Sequence, residues 1–226
     1  MYPDKEKIAG IILAGGQSRR MGGGDKALLR LGERPVLAEV VARLAPQAGS
    51  IVLSANGDPA RFAAFGLPVV ADSRAGFQGP LAGIEAGLSW VRTACPGVRF
   101  AVTVPGDTPF IPPDFVARLV EGRGDAPMAV AVSAAGLHPV IGLWPVTMAE
   151  GLTEALARGD RRASAFVRSQ GAAEIPFAPI RIGSVELDPF FNINTPEDLD
   201  FARGLFERVS RGEDLAVKDP AARRTE

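Results

Sequence analysis

Cysteine is almost missing: Cys95 stands alone in the chain, so no internal disulfide can form and no zinc site built on several thiolates can be assembled. Histidine is equally scarce, with His138 the single one; a lone imidazole is most simply a structural hydrogen-bonding group, and nothing around it demands a proton-transfer role. Excess charge is absent too. The chain carries 25 basic and 26 acidic residues, a formal net charge of −1. No global field therefore favours DNA, RNA or anionic lipid, and phosphate binding has to be arranged locally. No apolar run reaches the roughly 20 residues of a membrane helix. The charged start, Met1-Tyr2-Pro3-Asp4-Lys5-Glu6-Lys7, lacks the apolar stretch and cleavage site of a signal peptide. These absences lead us to expect a cytoplasmic protein with neither nucleic acid nor membrane as partner.

What is present is a chain of 226 residues, 46% hydrophobic and 23% charged, enough for a substantial single core. Short β-branched runs alternate with longer helical patterns. Ile8–Leu13 is continuously apolar, as a strand covered on both faces should be. Ile51–Leu53, Leu67–Ala71 and Phe100–Val104 read as further strands. Val36, Leu37, Val40, Val41 and Leu44 recur at helical spacing, as do Leu81, Ile84, Leu88 and Val91 after Gly79-Pro80, with proline tolerated in a first turn. Another helix is expected to start near Pro112-Pro113-Asp114. In the last third, Ala129–Val132 and Val140–Trp144 read as strands flanking His138-Pro139. Leu152, Ala155 and Leu156 mark a helix, Ala163–Val167 another, and Thr195-Pro196-Glu197-Asp198 opens a third with a capping pattern. The expected fold is α/β, a single-domain Rossmann-like three-layer sandwich with a mainly parallel sheet. We expect the domain to span residues 1–210 and residues 211–226 to be a flexible tail, poor in apolar residues.

The most informative segment is Leu13 to Lys26, which follows a buried strand and holds five glycines, Arg19-Arg20 and a closing lysine. Glycines let backbone N–H groups converge on phosphate oxygens, while arginine and lysine neutralise charge, one as a fork and one as a point. The segment does not fit G-x-x-x-x-G-K-[ST], because Lys26 follows Asp25 and precedes Ala27. It does not fit G-x-G-x-x-G either. Sheets of this kind bind ligands outside the carboxyl ends of their strands, where this loop, Asp72 and Asp107 would gather.

The pattern L-A-G-G-x-S-x-R-M-G-x-x-D-K resembles the signature of the molybdenum cofactor guanylyltransferases, nucleotidyltransferases with a Rossmann-like sheet. The resemblance continues in order through Ala71-Asp72-Ser73 with Gly79-Pro80-Leu81-Ala82-Gly83, then Gly106-Asp107-Thr108-Pro109. His138-Pro139, Asp160-Arg161-Arg162 and Phe191-Asn192-Ile193-Asn194-Thr195-Pro196 are similar to the later, acceptor-side elements. The resemblance implies transfer of GMP from GTP to the phosphate of molybdenum-bound molybdopterin, with release of pyrophosphate. It further implies that Leu13, Ala14, Gly15, Lys26, Asn56, Asp72 and Asp107 contact GTP and that Asp107 also ligates Mg²⁺. Lys26 and Arg19 would stabilise the leaving pyrophosphate. His138, Arg161, Arg162, Asn192 and Asn194 would face the acceptor. Cofactor-delivery proteins and molybdoenzyme clients are the implied protein partners.

Plainer roles exist for several of these residues. Asp107 and Asp72 could be strand-end turn residues, Asn56-Gly57-Asp58-Pro59 has turn composition, and Arg161-Arg162 could be solvated charges at a helix start. Asn192 and Asn194, two apart on an extended segment, project to one face. Competing functions are a cytidylyltransferase acting on the same cofactor, a nucleotidyltransferase of sugar or isoprenoid phosphates, and a non-catalytic GTP-binding or cofactor-handover protein. Gly15-Gly16 and Asp25-Lys26 favour the guanylyl enzyme over the cytidylyl one, whose loop more usually reads L-A-A-G and closes with Pro-Lys.

Overall fold

The computed structural model describes residues 4–15, 25–72 and 79–211, together with the backbone of 215–217. Strand β1, Ile8–Leu13, is the apolar run, and its alternation feeds both faces of the sheet. Ile8 and Ile12 join one core, Ala9 and Ile11 the other. Such two-sided burial is what an unbroken hydrophobic strand requires, and each aliphatic side chain so buried is worth about 1.5–3 kcal/mol.

A small hairpin, β2 (Arg30–Leu31) and β3 (Arg34–Pro35), turns at Gly32 with φ of 62°. It leads into helix α1, Val36–Leu44, which buries Val36, Leu37, Val40 and Leu44. Then come β4 (Ser50–Ser54), a 3₁₀ segment Pro59–Phe65, and β5 (Val69–Val70). Helix α2, Pro80–Ala94, begins at Gly79 in a positive-φ conformation with Pro80 in its first turn, and Cys95 closes it. Strand β6 (Phe100–Pro105), helix α3 (Phe115–Arg123), β7 (Ala129–Ser133) and β8 (Gly136–Pro145) follow. Helices α4 (Met148–Ala157) and α5 (Ala163–Ser169) lead to β9 (Ala173–Pro176), β10 (Ile180–Ile182), β11 (Val185–Leu187), α6 (Pro196–Ser210) and β12 (Leu215–Val217).

The main sheet runs β5-β4-β1-β6-β8-β7-β9. β5, β4, β1 and β6 are parallel, β8 runs antiparallel to both neighbours, and β7 and β9 are parallel. The sheet is therefore mainly parallel with one reversed strand, and the architecture is the α/β sandwich that the alternation of elements predicts. From β1 the chain steps outward to β4 and β5, then crosses back to β6 on the other side. That reversal is the switch point where such sheets open a crevice. α1 and α3 pack in one core and α2, α4 and α5 in the other.

Two details depart from the sequence reading. His138 and Pro139 lie inside β8 rather than between strands. Proline has no N–H for the ladder, and the β7–β8 register jumps there, from Val130↔Gly142 to Ala131↔His138, a bulge of the kind proline forces on a strand. Within the segment read as a tail, Leu215–Val217 forms a strand antiparallel to β10. β10, β11, α6 and the β2–β3 region enclose a third cluster with Leu31, Val36, Phe110, Ile180, Ile193 and Leu205. Among the described residues no helix is long and apolar enough to cross a membrane.

Candidate active site

The carboxyl ends of four parallel strands, Leu13, Ser54, Val70 and Pro105, come to one edge of the sheet. The crossings are tight: Ala14 donates its N–H to Ser54 O at 2.8 Å, and Gly106 donates to Leu13 O at 2.9 Å. A cleft of about 410 Å³ opens above them. Its floor is Leu13, Gly15 and Ser54; one wall is Asp72 with Gly79, Pro80 and Gly83 from the start of α2; the other is Pro105, Asp107, Val140 and Asn192. Five of the sequence-nominated residues thus line one space: Leu13, Gly15, Asp72, Asp107 and Asn192. Ala14 is buried beneath them. Arg19 lies outside the described residues, as does most of the Gly-rich loop.

Asn56 reaches the cleft through Asp72. Its amide Nδ2 donates to Asp72 Oδ2 at 2.8 Å, and its Oδ1 accepts from the Asp72 backbone N–H at 2.9 Å. This reciprocal pair uses both ends of the amide and fixes the carboxylate against the wall. Opposite, Lys26 Nζ donates to Asn194 Oδ1 at 2.8 Å, so the lysine that closes the loop is held by the acceptor-side segment. That segment also grips the Asp107 turn. Ile193 N–H donates to Asp107 O at 3.0 Å, and the Thr108 hydroxyl donates to Asn192 Oδ1. Ile193 is buried while Asn192 and Asn194 face outward together, as the two-residue spacing predicts.

Burial pushes the Asp107 carboxyl above its ordinary range; the Lys26 ammonium and a hydrogen bond from its own backbone pull it partly back. A carboxylate whose charged form burial disfavours is one that a bound cation would stabilise. Among the described residues no group of three or more His, Cys, Asp or Glu could hold a metal by itself. Mg²⁺ commonly takes one or two carboxylates and completes its shell with water and substrate phosphates, so Asp107 fits a metal that arrives with a nucleotide.

Arg161 and Arg162 border a second cavity of about 450 Å³ with Arg158, Asp160, Ser169 and Gln170. Gly79 at the cleft comes close to the backbone of this second set: a Cβ there would sit 3.9 Å from the Arg161 carbonyl oxygen. His138 is placed elsewhere. Its Nε2 lies 2.7 Å from Ser133 Oγ, its ring 4.9 Å from that of Phe190, and Ser133 also donates to Asp188. The cleft residues that sequence reasoning missed are Ser54, Pro105 and Val140. Val140 owes its place to the Pro139 bulge and accepts a hydrogen bond from Thr103 Oγ1 at 2.6 Å. Only the proline was a visible signal for it.

Residues 10–174 match the MobA-like NTP transferase domain family. A molybdenum cofactor guanylyltransferase of Mesorhizobium japonicum is 49% identical over 209 residues, covering 91% of this chain and 99% of that protein. One from Rhodopseudomonas palustris strain HaA2 is 51% identical over 203 residues, covering 88% and 92%. The crystal structure of molybdopterin-guanine dinucleotide biosynthesis protein A from Archaeoglobus fulgidus superimposes with a TM-score of 0.63 at 20% identity, covering 88% of this chain and 99% of that one. At that identity the likeness is one of fold.

Proposed function

Because the chain belongs to the molybdenum cofactor guanylyltransferase family, among the MobA-like NTP transferases, we propose that it transfers GMP from GTP to the phosphate of Mo-molybdopterin. The acceptor phosphate oxygen attacks the α-phosphorus, the bond to the β-phosphate breaks, and pyrophosphate leaves. The observation that carries this reading is that Asp107 on one wall of the cleft and the Asn56–Asp72 pair on the other face each other at the sheet's switch point, with Lys26 at hand.

Attack by one phosphate on another meets like-charge repulsion, so the protein's task is to align and neutralise. Leu13, Ala14, Gly15, Asn56 and Asp72 would seat the nucleotide. Lys26 and Arg19 would take the charge developing on the departing pyrophosphate. Mg²⁺, held by Asp107 and the phosphates, would supply charge neutralisation at the reacting group. Asn192, Asn194, Arg161 and Arg162 would hold the acceptor; Asn194 does so while gripping Lys26, which brings donor and acceptor contacts within one side chain of each other. His138 we assign to holding the β7–β8 hairpin, given its Ser133 and Phe190 contacts. The reaction belongs to the cytoplasm, with cofactor-delivery proteins upstream and molybdoenzyme clients downstream.

The test is incubation with Mg²⁺, Mo-molybdopterin and each nucleoside triphosphate in turn. Pyrophosphate and an extended pterin form with GTP only. Product with CTP alone would make this a cytidylyltransferase, and nucleotide binding without turnover a handover protein. Asp107→Asn should lower turnover by at least about a hundredfold, the scale of removing one charge-stabilising group, with the melting temperature kept. Mg²⁺-dependent turnover near wild type in that variant would remove Asp107 from the metal role.

A further inference from the structure

Arg61 lies on the 3₁₀ segment Pro59–Phe65 and does not line the cleft. Its guanidinium nevertheless joins two segments that lead into it, one at Asp25 and one at Asn56 and Asp58. Nε is ion-paired with the Asp25 carboxylate, Nη2 donates to the backbone carbonyl of Asn56, and Nη1 donates to that of Asp58 at 2.7 Å. The group sits 4.6 Å over the ring of Phe62. Only 25% of the Arg61 side chain and 19% of Asp25 are exposed, so this pair escapes much of the screening that makes surface ion pairs weak. Gly57 makes room for it: its φ is +87°, and a Cβ there would lie 3.0 Å from Nη1.

Each partner leads directly into the site. Asp25 precedes Lys26, and its carbonyl accepts the Leu28 N–H that closes the Lys26–Leu28 turn at 3.0 Å. Asn56 is the residue that fixes Asp72 on the opposite wall. One planar, multi-donor group thus ties the base of the cationic lysine to the base of the Asn56–Asp72 pair. Lysine would not reproduce this: its donors radiate from a single nitrogen on a flexible stem, whereas the guanidinium presents three nitrogens in one rigid plane, two toward the carbonyls and one toward Asp25.

We propose that Arg61 is a positioning residue for nucleotidyl transfer: it sets the separation between Lys26 and the Asn56–Asp72 wall, so that a nucleotide engaging both is held with its α-phosphate aligned. The proposal rests on the nucleotide reading of the cleft. Its particular consequence is that a ligand bridging both walls depends on Arg61, while a ligand engaging only one does not.

The experiment uses the full-length protein and the variants Arg61→Gln, Arg61→Lys, Asp25→Asn and the double Arg61→Gln/Asp25→Asn. Binding of GTP, GMP and pyrophosphate is measured by titration calorimetry with Mg²⁺, beside kcat/KM for GTP. GTP affinity and kcat/KM fall by about tenfold or more in each single variant, the lysine variant does not rescue, and the double variant falls little further than either single one. GMP and pyrophosphate, taken separately, shift by less than about twofold, as uncoupled fragments should. Equal losses for the fragments and for GTP would reduce Arg61 to a general structural role and overturn the proposal, as would near-wild-type kcat/KM in Arg61→Gln. Asp25→Asn keeps the guanidinium and its two carbonyl contacts, so it decides the matter if Arg61→Gln does not fold. Lack of GTP turnover in the unmodified enzyme would instead sink the guanylyltransferase reading; Arg61 would then be judged by the same whole-against-fragment comparison with the nucleotide that the enzyme binds.

Discussion

At the scale of single residues, the Ser133 hydroxyl has one hydrogen and gives it to Asp188, so its contact with His138 must be donated by the imidazole, as Nε2–H. The neutral ring and the imidazolium both carry that Nε2–H, so it is burial beside Phe190 that disfavours the charged form. Burial lowers the His138 pKa, and Asp188 only partly opposes this. The linkage follows: an unfolded imidazole takes its proton near pH 6.5, whereas the folded one refuses it until lower pH. The unfolded state therefore binds more protons across that window. His138 contributes stability fully above the unfolded value, and that stability is lost as pH falls through the folded value. Urea unfolding of the wild type and of His138→Gln between pH 8 and pH 5 should give curves that converge on acidification. Parallel pH profiles would show that the histidine does not titrate on unfolding as described.

At the scale of elements, α2 shows what periodicity conveys and what it hides. Leu81, Ile84, Leu88 and Val91, legible from their spacing, are all fully buried. Gly83 and Gly87, one turn apart on the same helix, carry no signal in a hydrophobic pattern, yet they set how closely the helix approaches the sheet. A Cβ on Gly87 would lie 2.5, 2.9 and 3.0 Å from three atoms of the Ile11 side chain, which is itself fully buried on the central strand. One on Gly83 would lie 2.7 Å from Ser54 Oγ and 3.2 Å from Leu13 Cδ2, both in the floor of the cleft. Alanine favours a helix interior over glycine by up to about 1 kcal/mol, but overpacking a filled core costs about 1–3 kcal/mol, and Ile11 has nowhere to go. Gly87→Ala should therefore lower the unfolding free energy while the folded fraction keeps its GTP affinity. Gly83→Ala should weaken GTP binding by more than its change in melting temperature accounts for. Equal, purely thermal effects from the two substitutions would mean that the start of α2 does not shape the nucleotide site. The same limit explains Val140 and Ser54: their places depend on a bulge and on a strand end, neither of which the apolar period encodes.

At the scale of the molecule, the parallel strands and the loop after β1 were legible because each is one local pattern. The third cluster was not. It gathers Leu31, Phe110, Ile180 and Leu199 from segments far apart in the chain, and the strands that help to build it, β10 and β11, have three residues each, too few for any period to register. Yet this cluster holds up the acceptor side. Thr195 caps α6 in a reciprocal capping box with Asp198, and the extended residues just before it are tied to Asp107, Thr108 and Lys26. Among the described residues, ending the chain after Arg211 removes the backbone pairing of β12 with β10 and leaves every named contact to the cleft. We expect GTP turnover to persist with a melting temperature lower by a few degrees at most, making the first 210 or so residues the working domain. Ending it after Gly183 removes Asn192, Asn194 and α6 and uncovers the buried Phe110 and Val36, so turnover and the cooperative melt should go together. Turnover abolished by the shorter deletion would instead place residues 212–226 in the site. Turnover surviving the longer one would show that the acceptor is held without Asn192 and Asn194.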